Sequence, residues 1–448
     1  MRTNTFFVNY KFRPHSAVDE HANPQNKLKF KIGDYVVRTQ TRRLLVKLIE
    51  RTSYLSEMME LADTPDIKVI TGVRRSGKSK LLEALAQKIS ERQPSANIIH
   101  INYNLTDFED ILDYRSMEAY VEERYVPGRQ NYLFIDEVQM CGSFEKAINS
   151  LHAREKYSIF VTGSNAFLQS SDLATLFVGR TYEIPVYPFS FAEYLAYYPS
   201  QNIYDSLTSY ISDGGMAGSY LYRSEEQKRR YIDSEVLNAL VVRDIVSKYK
   251  LKNEQLLHTL IDYLMDNVGN LTSIRSIADT LESNRTKADH KTIGKYVDAL
   301  CKAFAFYRIR RYDIRGKRYL RSEDKYYLVD QSFRFARLGT KNMDYGRVLE
   351  NIVAMELLRR GYEVYVGVLY KKEIDFVAIK QGEKLYIQVA NSISEERTFE
   401  REVAPLLAVR DAYPKMLIAR TYQPEYQHEG IRIIDAADWL SATDTQNR

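Results

Sequence analysis

The sequence predicts a chain of mixed α/β class with more than one domain: a parallel sheet in its first half, a helical middle, and a second α/β unit at its end. Three observations carry this. Between Asp66 and about Pro188 short apolar runs alternate with longer helical stretches, the pattern of a parallel sheet covered by helices. From Tyr345 to about Trp439 a helix is again followed by strand-like runs. At 448 residues the chain exceeds what one hydrophobic core usually supports, so two or three domains of roughly 100 to 200 residues are expected.

In the first unit Ile67 to Ile70, Ile98 to Ile101, Tyr132 to Ile135 and Ile159 to Val161 are short, apolar and rich in β-branched or aromatic residues, as buried parallel strands are. The best intervening helix carries Leu81, Leu82, Leu85 and Ile89 on one face. From about Phe189 to Ser273 helical periods take over, as in Val236, Leu237, Leu240 and Val241, and Gly214 to Gly218 is too glycine-rich for a helix interior, so it is expected as a turn. Residues Leu271 to Leu320 show three short helical segments and then two Tyr- and Arg-rich strands around Arg315-Gly316-Lys317, the order of a winged helix. The last unit opens with a helix bearing Leu349, Val353, Met355, Leu357 and Leu358. Strands follow at Glu363 to Val368, Ile374 to Ile379 and Leu385 to Val389, then a helix, then Lys415 to Ala419 and Ile431 to Ile434.

Composition narrows the class without naming a partner. Hydrophobic content of 44% and charged content of 27% are those of ordinary globular proteins, and no stretch approaches the roughly 20 apolar residues that cross a bilayer. Met1 to Asn26 lacks a secretory core and, with Pro14 and Pro24, is expected as a flexible leader. Cys141 and Cys301 form neither a disulfide framework nor a metal knuckle, which fits a reducing cytoplasm. The net charge of +5 is too small to identify a partner, but Arg308 to Arg321 holds seven Lys or Arg against the single acid Asp313, interleaved with Tyr312 and Tyr319.

The chemistry is concentrated in Gly72-Val73-Arg74-Arg75-Ser76-Gly77-Lys78-Ser79, which satisfies G-x-x-x-x-G-K-[ST] between a strand and an amphipathic helix. Glycines let the backbone curl so that successive N–H groups point at phosphate oxygens, and the helix adds its positive end. Lys78 is expected on the β- and γ-phosphates, Ser79 on magnesium, and the backbone through Lys80 around the phosphates. The run Tyr132 to Ile135 leads straight into Asp136-Glu137, two carboxylates that are costly at the end of a buried strand without a task. Asp136 is assigned to the metal and Glu137 to the attacking water. The next strand ends in Thr162-Gly163-Ser164-Asn165, where Ser164 is the favoured γ-phosphate sensor; a plain turn is the alternative. Gly179-Arg180 precedes a strand at Tyr182, and Arg180 is a candidate for reaching a neighbouring subunit's nucleotide, against a solvated arginine.

These motifs, with Tyr187-Pro188-Phe189-Ser190-Phe191-Ala192-Glu193-Tyr194, resemble a large prokaryotic family of predicted AAA-type ATPases that join an ATPase domain to an uncharacterised C-terminal domain. The likeness covers roughly Val36 to Ala419 and ends in Glu350 and the Ile374-Asp375-Phe376 block. It implies ATP hydrolysis and a winged helix in the middle, and no particular biological role. The C-terminal unit looks similar to the PD-(D/E)xK nuclease core, in which a helix carboxylate, a strand Asp and a (D/E)-x-K strand hold a metal and orient water. Glu350 and Asp375 fit the first two places, but the third is Gln388-Val389-Ala390, so a degenerate scaffold is expected; Glu373 stands as a partial substitute ligand.

The expected layout is therefore a leader over 1–35, a P-loop ATPase domain over 36–188, a helical lid or connector over 189–270, a winged helix over 271–340 and a nuclease-like α/β domain over 341–448. The expected function is magnesium-dependent ATP hydrolysis controlling engagement of DNA or a protein partner, in a cytoplasmic protein for which further copies of the same chain are a candidate partner. A nucleotide-gated switch with negligible turnover and, third, an ATP-controlled nuclease are the alternatives. DNA contact is assigned to Arg308, Arg310, Arg311, Arg315, Lys317 and Arg318, with a protein interface or a solvated charged face as the other readings of that segment.

Overall fold

Two sheets organise the computed structural model, which describes residues 48–163, 177, 179–283, 289–319, 323–340, 343–370 and 372–442. The expected leader lies outside the described residues.

The first sheet contains β1 (Ile67–Thr71), β2 (Asn97–Asn102), β3 (Asn131–Asp136), β4 (Tyr157–Thr162) and β5 (Thr181–Pro185) in the order β2-β3-β4-β1-β5. All its pairs are parallel. Both faces are covered, which is why the central strands β1, β3 and β4 are buried almost along their whole length instead of alternating, while the edge strands β2 and β5 are only partly buried. One face buries Ile70, Phe134 and Phe160 against Met58 of α1 (Thr52–Leu61) and Leu82 and Leu85 of α2 (Lys78–Arg92). The other buries Val69, Leu133 and Val161 against Met117 of α3 (Tyr114–Glu123) and Ile148 of α4 (Phe144–Ala153). Because β1 and β3 run parallel with only β4 between them, the loop after β1 and the acids ending β3 emerge at the same sheet edge.

A helical middle follows: α5 (Phe191–Tyr197), α6 (Ile203–Asp213) and α7 (Glu225–Arg230), which runs on through π-helical segments at Tyr231–Leu237 and Leu240–Val246. The glycine stretch is the expected turn: Gly214 takes φ +67° at the end of α6, and a Cβ on Gly215 would fall 2.2 Å from the Phe189 carbonyl oxygen. Next come α8 (Glu254–Asp266), α9 (Ile274–Ser283) and α10 (His290–Lys302). Two helices, not three, lie between 271 and 320 among the described residues, because the third, α8, ends before Leu271.

The strands after α10 pair across the expected boundary at 340. β6 (Phe306–Ile309) pairs only with β9 (Lys325–Leu328) among the described residues, whereas β7 (Arg311–Asp313) and β8 (Arg318–Tyr319) join the C-terminal sheet. That sheet adds β10 (Glu363–Leu369), β11 (Lys372–Lys380), β12 (Glu383–Ala390), β13 (Lys415–Ala419), β14 (Tyr426–His428) and β15 (Ile431–Asp435), in the order β14-β15-β13-β12-β11-β10-β7-β8. β7 lies parallel on β10, with Tyr312 opposite Gly367. An unpaired edge strand is costly to leave exposed, and the hairpin supplies the missing neighbour. The core follows the same continuity: Phe376, Ile387 and Ile418 of the C-terminal sheet share one apolar cluster with Leu260, Val297 and Phe333 of the middle segment. Helices α11 (Ser332–Leu338), α12 (Tyr345–Arg359), α13 (Glu396–Leu407) and α14 (Ala436–Ser441) complete the unit. No described helix is long and apolar enough to cross a membrane.

Candidate functional site

The loop from Gly72 to Ser79 is shaped by backbone that few residues adopt. Gly72 and Gly77 sit at φ +136° and +98°, and Arg75 between them at +68°. A Cβ on Gly72 would lie 2.0 Å from the Val186 carbonyl oxygen, so glycine there is required by packing as well as by φ. The ladder of α2 begins with Leu81 N–H donating to the Gly77 carbonyl at 2.9 Å, which leaves the N–H groups of Lys78, Ser79 and Lys80 at the open helix end. The Lys80 side chain is elsewhere: it is 65% exposed and paired with Glu83 at 2.6 Å, so only its backbone serves the loop.

Lys78 is buried and donates to the carbonyls of Gly72 (2.8 Å) and Val73 (3.1 Å). Burial pulls its pKa down, and the carboxylates of Glu137, Asp244 and Asp136 oppose that shift. Asp136 and Glu137 are thus brought to the lysine as expected. One oxygen of Asp136 accepts from the Thr162 hydroxyl, whose oxygen in turn accepts from the Glu137 N–H at 3.2 Å. Glu137 adopts φ +58°, and its carboxylate accepts from Gln139 Nε2.

Ser164 lies outside the described residues, and Thr162, at the end of the strand beside β3, is the residue seen on the acid pair. Arg180 is exposed at the opposite sheet edge: its carbonyl accepts from the Ile67 N–H at 2.9 Å, level with the start of β1. The five residues of β1, or about 17 Å, separate it from its own chain's loop.

Two residues at the site, Arg51 and Asp244, carried no sequence signal. Arg51 donates to the Ser76 carbonyl (3.1 Å), the Tyr187 carbonyl (2.9 Å) and Glu193 (2.7 Å). Glu193 closes the N-terminal capping box of α5 with Ser190. The Pro-x-Ser-Phe-x-Glu-Tyr motif therefore braces the phosphate loop through Arg51. Asp244 lies 3.9 Å from Arg74 and is 4% exposed.

These residues fit a magnesium–nucleotide group. Asp136 Oδ2, Ser76 Oγ and Arg74 Nε are buried with no hydrogen-bond partner among the described residues. One is an anionic acceptor and one a cationic donor, the two requirements of a metal-bound phosphate.

The C-terminal carboxylates are arranged differently. Lys325 of β9, 3% exposed, places its ammonium 2.8 Å from Glu350, 2.8 Å from Glu373 and 3.7 Å from Asp375. Tyr327 donates to Glu350 at 2.5 Å, and Asp375 accepts from the Val389 N–H at 2.9 Å. Gln388 Nε2 donates to Glu402 Oε2 at 3.0 Å. The nearby Lys372 and Lys384 donate elsewhere, to the Ala404 carbonyl and the Tyr312 hydroxyl. Burial opposes the charge on Lys325, yet Glu350, Asp375 and Glu373 together hold its pKa above the ordinary value. Among the described residues no three His, Cys, Asp or Glu are placed to hold a metal ion.

The basic hairpin is also partly committed. Arg308 pairs with Asp298 and Arg311 with Glu323, each at 3.2 Å, and Arg315 lies over Tyr370 at 5.2 Å. Tyr312 is 5% exposed, so its ring is not open to a nucleic acid. Arg310 and Lys317 are exposed; the Arg318 side chain lies outside the described residues.

Residues 64–195 match an AAA domain, and residues 204–344 match a domain of unknown function, DUF8612. An uncharacterised protein of Haemophilus influenzae is 39% identical over 399 residues, 88% of this chain and 98% of its own length. One of Methanocaldococcus jannaschii is 27% identical over 80% of this chain and 82% of its own. Among solved structures, the Walker-type ATPase of Pyrococcus abyssi shares 14% identity with a TM-score of 0.41, covering 64% of this chain and 95% of that one. AMPPCP-bound DnaA from Aquifex aeolicus shares 13% with a TM-score of 0.29, covering 57% and 90%. The chain belongs to the family of the Haemophilus influenzae protein, and its residues 64–195 are an AAA-type ATPase domain.

Proposed function

We propose that the chain hydrolyses ATP with magnesium and uses the nucleotide state to control engagement of a partner. The observation that carries this is the pairing of an open N–H helix end at Lys78–Lys80 with a buried, half-satisfied Asp136 on the same sheet edge. Bound between Ser79 and Asp136, magnesium would neutralise charge on the phosphate oxygens. Lys78 and the loop N–H groups bind phosphate, and Glu137 orients and deprotonates the attacking water. In nucleotide-binding and phosphate-release assays Lys78→Ala loses ATP binding, while Glu137→Gln keeps binding and loses about 10² to 10⁴ in turnover. Equal loss of binding in both variants would remove Glu137 from this role.

The runner-up, a nucleotide-gated switch of negligible turnover, draws on the hold of Gln139 on the Glu137 carboxylate. Phosphate release by the wild type separates the two. Arg180, remote from its own loop, serves only a neighbouring subunit; mixing Arg180→Ala with Lys78→Ala subunits then restores hydrolysis, and no recovery in mixed oligomers assigns it to structure.

For the remainder, the two helices and hairpin of 271–328 support a winged-helix element fused to the C-terminal sheet. The α12, β10-β11-β12, α13, β13 order supports a nuclease-like fold. Lys325 filling the space between Glu350, Glu373 and Asp375 supports a scaffold over a nuclease. Plasmid nicking by the wild type that disappears in Asp375→Ala would reverse that reading.

A further inference from the structure

The variable residues of the phosphate loop face the helical middle segment. Val73 is fully buried in the same apolar cluster as Val236, Leu237, Leu240 and Val241, outside both cores of its own sheet. Arg74 pairs with Asp244, which stands on the π-helical segment Leu240–Val246, and Arg74 Nε is buried with no hydrogen-bond partner among the described residues. Arg75 lies close enough to Tyr231, on the preceding π-helical segment, for its charge to act on that hydroxyl. A Cβ on Gly218 would fall 2.2 Å from the Tyr231 hydroxyl oxygen, so Tyr231 is seated in a space that glycine keeps open. Three consecutive loop residues thus meet two segments whose wide helical turns are uncommon and recur at functional sites.

Charge sets the sign of the coupling. A triphosphate in the loop offers Arg74 several anionic acceptors, and a guanidinium binds phosphate through paired N–H donors at least as well as it binds a carboxylate. The same phosphates confront Asp244 with like charge at close range, in surroundings that screen it little. Resting on the ATP-binding reading above, we propose that Asp244 is a positioning residue through which the phosphate loop and the middle segment read each other. Phosphate competes with Asp244 for Arg74, so nucleotide binding shifts segment 231–249, and the packing of that segment sets the loop's affinity. The two effects are reciprocal by linkage.

The test uses the full chain and two readouts: Mg-ATP and Mg-ADP affinity by calorimetry, and hydrogen exchange of 231–249 with and without nucleotide. In the wild type ATP alters exchange in that segment more than ADP does. Asp244→Asn, which keeps size and loses charge, tightens ATP binding about fivefold or more and removes most of the nucleotide-dependent change in exchange. Asp244→Glu restores both. A merely structural Asp244 would lower the melting temperature without tightening binding. Wild-type binding of ATP with unaltered exchange at 231–249 overturns the coupling by itself, even if Asp244→Asn does not fold. Unchanged or weaker ATP binding by a folded Asp244→Asn also overturns it. A wild type that binds no ATP overturns the nucleotide reading first, and this inference with it.

Discussion

The phosphate loop and the C-terminal carboxylate cluster both bury charge, and they balance it in opposite ways. At the loop, Asp136 Oδ2, Ser76 Oγ and Arg74 Nε are shielded from water and without partners among the described residues. At the cluster, Lys325, Tyr327 and the Val389 N–H answer Glu350, Glu373 and Asp375 from within the chain. Buried polar groups cost stability unless hydrogen-bonded, so the first arrangement makes sense where an outside group completes it, and the second is complete as folded. Two sites that look alike as lists of acids and lysines therefore have different uses. What separates them is whether the compensating charge is covalently part of the protein.

The sharpest way to break this contrast is to remove Lys325. Lys325→Met leaves buried carboxylates without their cation and should cost about 3 to 5 kcal/mol in denaturant unfolding. Adding Glu350→Gln and Asp375→Asn to the same chain should return most of that loss, since the acids would then need no counter-charge. A Lys325→Met protein as stable as the wild type would mean that the cluster is balanced by something other than the lysine.

Asp330 is an intermediate case and a smaller effect. Its carboxylate accepts from the Gly215 N–H (2.6 Å) and the Ser332 N–H (2.9 Å), and burial raises its pKa to about 6 despite those donors. A carboxyl group whose folded pKa is raised holds more protons in the folded than in the unfolded state between the two values. Stability therefore falls as pH rises from about 4 to 6. Asp375, raised by burial and by Glu350, has the same sign. Unfolding of the wild type across this window should lose about 2 kcal/mol through Asp330, and Asp330→Asn should flatten that part of the slope. An identical pH profile in the variant would show that Asp330 titrates normally.

The smallest effect is expected at the hairpin, where Arg308 and Arg311 are already paired and only part of the basic run is available. On the reading that the hairpin contacts DNA, replacing Arg315, Lys317 and Arg318 with Ala weakens that binding on all sequences alike and reduces the slope of log affinity against log salt by up to about 3. A salt titration indistinguishable from the wild type would assign the hairpin to a protein interface.

The sequence by itself determined what is written in contiguous residues. The glycine loop, its lysine and the Asp136-Glu137 strand end were legible because phosphate binding needs a local backbone shape, and the strands of both sheets because burial on two faces selects unbroken apolar runs. Tertiary structure alone decided which distant groups meet. Arg51 and Asp244 reach the loop from two separate segments, Thr162 reaches the Asp136-Glu137 pair from the next strand, and Lys325 reaches Glu350 and Asp375 from another strand. Pairing across the boundary expected at 340 has the same cause: β7 finds its neighbour β10 some fifty residues later, and strand pairing depends on which edges face each other in space. Local propensity shapes an element, but charge compensation and edge pairing are settled between elements, where a single chain's order of residues carries no distance.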